Sequence, residues 1–221
     1  MKSIVGVVVL FFCCLILSGV HEFGHYFWLR RFHCNIKEFS IGVGHRVWQH
    51  RGEEGIIYSV RAVPFMAYVD FPLDNSYTGL SLWKKLAVLS GGVVNNFALG
   101  IFLIIISVPL NPSALNRLIL AFDAVSRLPF HLGVGPISLG ILISYILHYV
   151  SWPSLVLFWG IFSLLVAVIN LIPFPGFDGG WVLNTLCRRP EKKYETVSEV
   201  SLRILKFVTI LLCLSDILLI F

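Results

Sequence analysis

Charge is what this chain has little of. Asp, Glu, Lys and Arg make up 13% of its 221 residues, while 57% are hydrophobic; an ordinary soluble domain carries about 25% charged residues. That shortage excludes such a domain and leaves a polytopic membrane protein. A concentrated basic module is missing too. The 17 Lys and Arg outnumber the 12 Asp and Glu, yet they flank apolar runs, which excludes nucleic acid as the partner and suits membrane orientation. The five cysteines, Cys13, Cys14, Cys34, Cys187 and Cys213, are odd in number and form no C-x-x-C pair. They read as buried thiols and not as a disulfide framework. No A-x-A site closes the apolar run Ile4 to Leu17 that follows Lys2, so the chain is read as starting with a retained transmembrane helix, residues 4–29, and not with a cleaved signal peptide. No internal repeat is evident.

Against this apolar background stand His21, Glu22, Phe23, Gly24 and His25. Ionisable groups within a membrane span cost roughly 2.5 to 3.5 kcal/mol each on insertion scales, and by default they mark a functional site. On a helix, His21 and His25 are i and i+4 and stack on one face, the arrangement H-E-x-x-H uses to put two imidazoles on one zinc ion. Glu22, one step round the helix, is left free to act as a general base.

Hydropathy predicts three further spans, at 84–109, 153–187 with an interruption, and 201–220. The fold class expected is therefore an all-α polytopic membrane protein of about four transmembrane helices, with a membrane-associated β-hairpin between the first two. Arg30, Arg31, Lys37, Arg46, Arg51, Arg61, Lys84 and Lys85 lie between the first two spans, and Arg188, Arg189, Lys192 and Lys193 between the last two. Only Lys2, Arg117 and Arg127 fall on the other side. The positive-inside rule then turns both termini outward and the site towards the cytoplasm. Residues 36–72 read as a hairpin: Ile56, Tyr58 and Val60 alternate after the turn-like Arg51 to Gly55. Its apolar continuation from Ala62 to Val69 suggests a re-entrant hairpin packed on the helices, the alternative being a short soluble β module. Residues 110–152 are expected as an outer loop followed by an interfacial or re-entrant segment, since one more crossing would put Arg188 to Lys193 outside.

Two ligands from the first helix leave a zinc site incomplete, because catalytic zinc usually has three protein ligands and an open position. Most other carboxylates lie in loops or at span ends, and Asp216 reads as an interfacial residue near the C-terminus. His33, His45, His50, His131 and His148 read as solvated or interfacial. Asp178 differs. It stands in Asn170-Leu-Ile-Pro173-Phe-Pro175-Gly176-Phe177-Asp178-Gly179-Gly180, where two prolines and three glycines break the helix and free backbone groups that need a cavity or neighbouring protein.

H-E-F-G-H in a first helix followed by N-x-x-P-x-P-x-x-D-G-G in a later one resembles the site-2 proteases, intramembrane zinc metalloproteases. The likeness is closest to the bacterial regulator-of-sigma-E protease type, which cleaves anti-sigma factors and signal-peptide remnants. Phe39-Ser-Ile-Gly-Val-Gly44, Ser90-Gly91-Gly92-Val93-Val94-Asn95 (similar to A-G-P-V-A-N) and Gly135-Pro136-Ile137-Ser138 extend it over most of the chain. The resemblance implies that His21, His25 and Asp178 bind zinc, that Glu22 is the catalytic base, and that Asn170 holds substrate backbone. It implies an endopeptidase of the bacterial cytoplasmic membrane that cleaves a single-span membrane protein or a signal peptide in or near its transmembrane segment. An edge of the hairpin around Tyr68 is expected to take the unwound substrate by strand addition. Asn95 either stabilises an oxyanion or packs its helix. The chain departs from the family in having about 25 residues where PDZ modules are usual, Met66-Ala67 where two glycines are usual, Gly92 for a proline and Phe177 for a leucine. The competing readings are a non-proteolytic zinc-bearing scaffold that binds transmembrane helices, a metal transporter, and satisfied polar groups in a helix bundle.

Overall fold

The computed structural model describes residues 2–110 and 152–201, with isolated positions at 113, 115, 116, 119, 203 and 204. Helix α1 runs Lys2–Arg31. Strands β1 (Glu38–Arg51) and β2 (Ile57–Asp70) follow, then the short α2 (Asn75–Thr78) and the long α3 (Leu82–Leu110). After the undescribed stretch come α4 (Trp152–Asn170) and α5 (Asp178–Leu186). Backbone at 191–201 is also helical.

These observations correct the expected fold class. Two strands of 14 residues each make β structure a full component, so the chain is not all-α. Among the described residues two helices, not four, are long and apolar enough to cross a membrane: Leu82–Pro109 and Pro153–Asn170, each with mean hydropathy 2.0. The expected first span lies within α1, which is not one of these two, and the segment 153–187 supplies one of them in shortened form. Its helix stops at Asn170, and α5, with 9 residues, is about 14 Å long against the ~30 Å of a bilayer core. The expected span at 201–220 and most of the expected outer segment at 110–152 fall outside the described residues.

The chain divides into two compact units. Among the described residues, one holds 12–99 and 163–201, the other 2–11, 100–110 and 152–162. In the second, Leu157 packs with Ile104 and Phe158. In the first, the end of α1, the start of the sheet, α2 and α3 share a core of Leu29, Cys34, Ile36, Ile56, Tyr77 and Val88.

The sheet is more folded than a plain hairpin. Glu38–Ile41 runs parallel to Ile57–Val60 on one side and antiparallel to Ala67–Asp70 on the other, while Trp48–Arg51 pairs antiparallel with Ile57–Val60. Strand β1 must therefore bend between its two halves, and the bend sits at Gly42 and Gly44. Both have positive φ, at 91° and 89°, and a Cβ on Gly42 would lie 2.9 Å from the carbonyl oxygens of Arg61 and Val63; only glycine fits both constraints.

The interior of the sheet is polar. Ser40, Ser59 and Glu38 are buried. The Glu38 carboxylate accepts from Ser59 Oγ at 2.5 Å, Arg46 Nη2 at 2.7 Å and Arg61 Nη2 at 3.0 Å. Burial alone would raise its pKa; the hydrogen bonds from Arg46, Ser59 and Arg61 outweigh burial and hold it at about 2. An unfolded carboxylate takes up its proton near the ordinary 4.5. The stabilisation Glu38 supplies is therefore complete above that value and drains away as pH falls towards about 2. Hydrogen exchange over residues 38–61, corrected for intrinsic rates, is expected to show the sheet loosening across that window in wild type. The Glu38→Gln protein should be looser at neutral pH and much less sensitive to acid; parallel pH curves for the two would contradict the assignment.

Candidate metal centre

Helix α1 presents Ser18, His21, Glu22 and His25 towards other parts of its own unit. Its approach to α3 is unusually close because Gly24 meets Gly91: a Cβ on Gly24 would lie 2.1 Å from the Gly91 carbonyl oxygen, and one on Gly91 2.5 Å from that of Gly24. Backbones at that distance let side chains of one helix reach main-chain groups of the other. His25 Nδ1 donates to the Val88 carbonyl at 2.8 Å. This fixes its tautomer and leaves Nε2 with a free lone pair. Asn95 Nδ2 donates to the Val20 carbonyl at 2.9 Å, so this residue packs α3 on α1 in the structure.

Asp178 comes from the break in the other half of the unit. Pro173 and Pro175 cannot continue α4, and the chain turns through Gly176 (φ 107°) before restarting at Asp178, the first residue of α5. A carboxylate in a first helical turn also faces the unpaired N–H groups at that end, a favourable position. The turn brings Asp178 Oδ2 to 3.1 Å from His21 Nε2 and 3.3 Å from His25 Nε2, and the two Nε2 atoms are 3.3 Å apart.

This triangle fits a metal ion. In a tetrahedral site with bonds of about 2.0–2.1 Å, neighbouring ligand atoms stand about 3.3 Å apart. Asp178 Oδ2 is buried and receives no well-aligned hydrogen bond from either imidazole. The three atoms converge on a common point, and the carboxylate oxygen is left unsatisfied there. Among the described residues this is the one group of three His, Cys, Asp or Glu side chains so arranged. Gly92 opens towards the same point, since a Cβ there would lie 2.5 and 2.6 Å from the two Nε2 atoms.

Glu22 stands beside the triangle. Its Oε2 accepts from the Val69 N–H at 3.1 Å, and Ser18 Oγ accepts from the Ala67 N–H at 2.6 Å. The edge Ala67–Asp70 thus spends two outward N–H groups on α1. Tyr68, between them, turns the other way, with the Arg61 guanidinium 5.2 Å from its ring centre. Asn170 Nδ2 donates to the Val166 carbonyl of its own helix at 3.0 Å. The structure therefore brings His21, His25 and Asp178 together with Glu22 next to them, and gives Asn95, Asn170 and Tyr68 partners elsewhere. It adds Ser18, the Val88 carbonyl and Asn96, whose Nδ2 lies 3.2 Å from His21 Nδ1. A second asparagine in an apolar run was the one visible signal for these.

Comparison with known proteins decides the family. The profile of peptidase family M50 matches residues 9–212. The chain belongs to peptidase family M50. It is 37% identical over 98 residues to the "Putative zinc metalloprotease" of Vibrio cholerae serotype O1, an alignment covering 39% of this chain and 22% of the relative. It is 31% identical over 99 residues to the regulator of sigma-E protease RseP of Escherichia coli K12, again covering 39% of this chain and 22% of the relative. The chain thus aligns with about a fifth of the length of these curated relatives.

The Gly24–Gly91 contact yields a direct test. Gly91→Ala inserts a methyl group against the α1 backbone and should cost about 1–3 kcal/mol of overpacking. The expected result is a lower melting temperature in detergent together with a smaller stabilisation by added Zn2+, both read by thermal shift; an unchanged zinc-dependent shift would show that the close approach does not govern the site.

Proposed function

We propose that this chain is a zinc-dependent endopeptidase of a bacterial cytoplasmic membrane that hydrolyses a peptide bond within or near the transmembrane segment of a membrane protein. The observation that carries this reading is the triangle of His21, His25 and Asp178 with the Glu22 carboxylate beside it. The names of the relatives, a zinc metalloprotease and a sigma-E regulatory protease, support the choice of metal and reaction. The basic residues Lys84 and Lys85 at the start of α3 and Arg188, Arg189, Lys192 and Lys193 after α4 support a site opening towards the cytoplasm. The substrate class is a single-span membrane protein such as an anti-sigma factor, or a signal-peptide remnant.

His21, His25 and Asp178 would hold the ion. Bound zinc supplies a Lewis acid that polarises a scissile carbonyl and makes water acidic enough to attack it near neutral pH. The rest falls to the chain itself. Before substrate arrives, Val69 N–H holds Glu22 Oε2; the Glu22 carboxylate is the group placed to take a proton from the attacking water. The same carboxyl group returns that proton to the amine nitrogen as the C–N bond breaks. A substrate helix must first surrender its internal hydrogen bonds, because each of its peptide groups is paired within the helix. An unwound segment added along Ala67–Asp70 would compete with Ser18 and Glu22 for the N–H groups of Ala67 and Val69. Substrate binding and release of the base are then one event. Asn170 stands at the helix break, where its amide can exchange the Val166 carbonyl for a substrate main-chain group.

The test uses the purified full chain in liposomes with a single-span substrate. Glu22→Gln is expected to abolish cleavage, a loss of at least about 10²–10⁴-fold for a general base, while retaining one zinc per chain. Asp178→Asn should lose both zinc and cleavage. Full cleavage by both variants would overturn the proposal, and a wild-type protein that holds zinc but turns over no substrate would mark a scaffold.

A further inference from the structure

Asn96 is fully buried, and its side chain is used oddly. Its Nδ2 donates to His21 Nδ1 at 3.2 Å, while its Oδ1, equally buried, has no hydrogen-bond partner. With Nδ1 as acceptor, the single proton of a neutral His21 ring sits on Nε2, where it faces His25 Nε2 at 3.3 Å. That is the wrong tautomer for a ligand: a metal-binding Nε2 must be bare, and the proton must then ride on Nδ1 and find an acceptor there. His25 already meets this requirement through the Val88 carbonyl. His21 has no carbonyl in that role among the hydrogen bonds at the site, and the one group on its Nδ1 is the Asn96 amide.

We infer that Asn96 is the positioning residue of His21: a half-turn of its buried amide sets Oδ1 against Nδ1–H and fixes the tautomer that presents Nε2 to the metal. A terminal amide is the side-chain end that can serve both states, because the half-turn exchanges an acceptor for a donor in the same place. The turn also gives the orphaned oxygen its partner. The backbone around the amide is held for this task. Ser163 Oγ donates to the Asn96 carbonyl at 2.9 Å, and the preceding Asn95 ties the same turn of α3 to the Val20 carbonyl. The two asparagines thus divide the work, one fastening the helices and one orienting the ligand.

The inference rests on the zinc reading above, so the experiment separates the two. Zinc affinity of the full chain in detergent is measured by competition with a chelator of known strength, for wild type, Asn96→Leu and Asn96→Asp. Loss of an outer hydrogen bond to a ligating histidine typically costs 10–100-fold in metal affinity, and that loss is expected for Asn96→Leu. Asn96→Asp keeps an acceptor and is expected to stay within about threefold of wild type, or to bind more tightly. In the zinc-loaded wild type, ¹⁵N spectra of labelled histidine should show His21 protonated at Nδ1. Wild-type affinity in Asn96→Leu, equal loss in both variants, or a His21 Nδ1 without a proton would overturn the inference. The ¹⁵N measurement needs no variant and decides the matter even where Asn96→Leu fails to fold. A wild-type chain that takes up no zinc would instead overturn the proposed function and this inference with it.

Discussion

Two helices of this unit can touch backbone to backbone because Gly24 and Gly91 face each other, and the site depends on that contact. Had either residue carried a side chain, α1 and α3 would stand further apart. His25 would then fall short of the Val88 carbonyl, Asn95 short of Val20, and Asn96 short of His21. Each of those bonds joins a side chain on one helix to a group on the other, so none survives separation. In an apolar medium there is little hydrophobic drive to bring helices together, and close packing at small residues with interhelical hydrogen bonds takes over. The same contact that supplies attraction between the helices also sets the orientation of the imidazoles. Stability and ligand geometry are therefore not separable here.

The β unit answers a second constraint. A polar helix face in apolar surroundings needs partners, and α1 offers Ser18 and Glu22 four residues apart. Four helical residues rise about 6 Å; two residues along an antiparallel strand advance about 6.8 Å and bring successive N–H groups to the same side. The match lets Ala67 and Val69 donate to Ser18 and Glu22 respectively. A strand edge that would otherwise be exposed is stitched to the helix, and the orientation of Glu22 is fixed from outside its own element. The polar interior of the sheet, centred on Glu38 with Arg46 and Arg61, keeps this edge in register. A carboxylate with two guanidinium partners loses most of its hydrogen bonds if the strands slip.

Which parts of this could be read in advance follows from the range of each interaction. His21, Glu22, His25 and Asp178 stand out because charge in an apolar run has a cost that composition alone exposes. The turn at Gly52 to Gly55 is equally local. The pairing of β1 with two different stretches of β2 is not, because it depends on where Gly42 and Gly44 let the strand bend, and their partners at Arg61 and Val63 are remote in sequence. Hydropathy read 153–187 as one interrupted span because it averages across the prolines; backbone geometry ends the helix at Asn170. Asn95 and Asn170 were recognisable as polar residues with work to do. In the structure they pair with the Val20 and Val166 carbonyls, partners which no pattern of residue types specifies. Asn96 escaped notice because its significance lies in which of its atoms faces His21 Nδ1.

Charge balance accounts for the company these residues keep. If both imidazoles serve as neutral ligands, the Asp178 and Glu22 carboxylates sum to two negative charges gathered beside the buried His21. Two like charges in low dielectric repel strongly, and among the described residues neither carboxylate forms an ion pair with a Lys or Arg. One divalent cation brings the group to zero. Under the proposed reading it would replace hydration for Asp178 and compensate Glu22, the condition a base needs if it is to pick up a proton and give it back. A monovalent cation would leave the group negative, and an extra carboxylate would do the same with zinc. The donor set is thus matched to a doubly charged ion by charge count as well as by spacing, and the pairing of one ligating with one non-ligating carboxylate follows from that match.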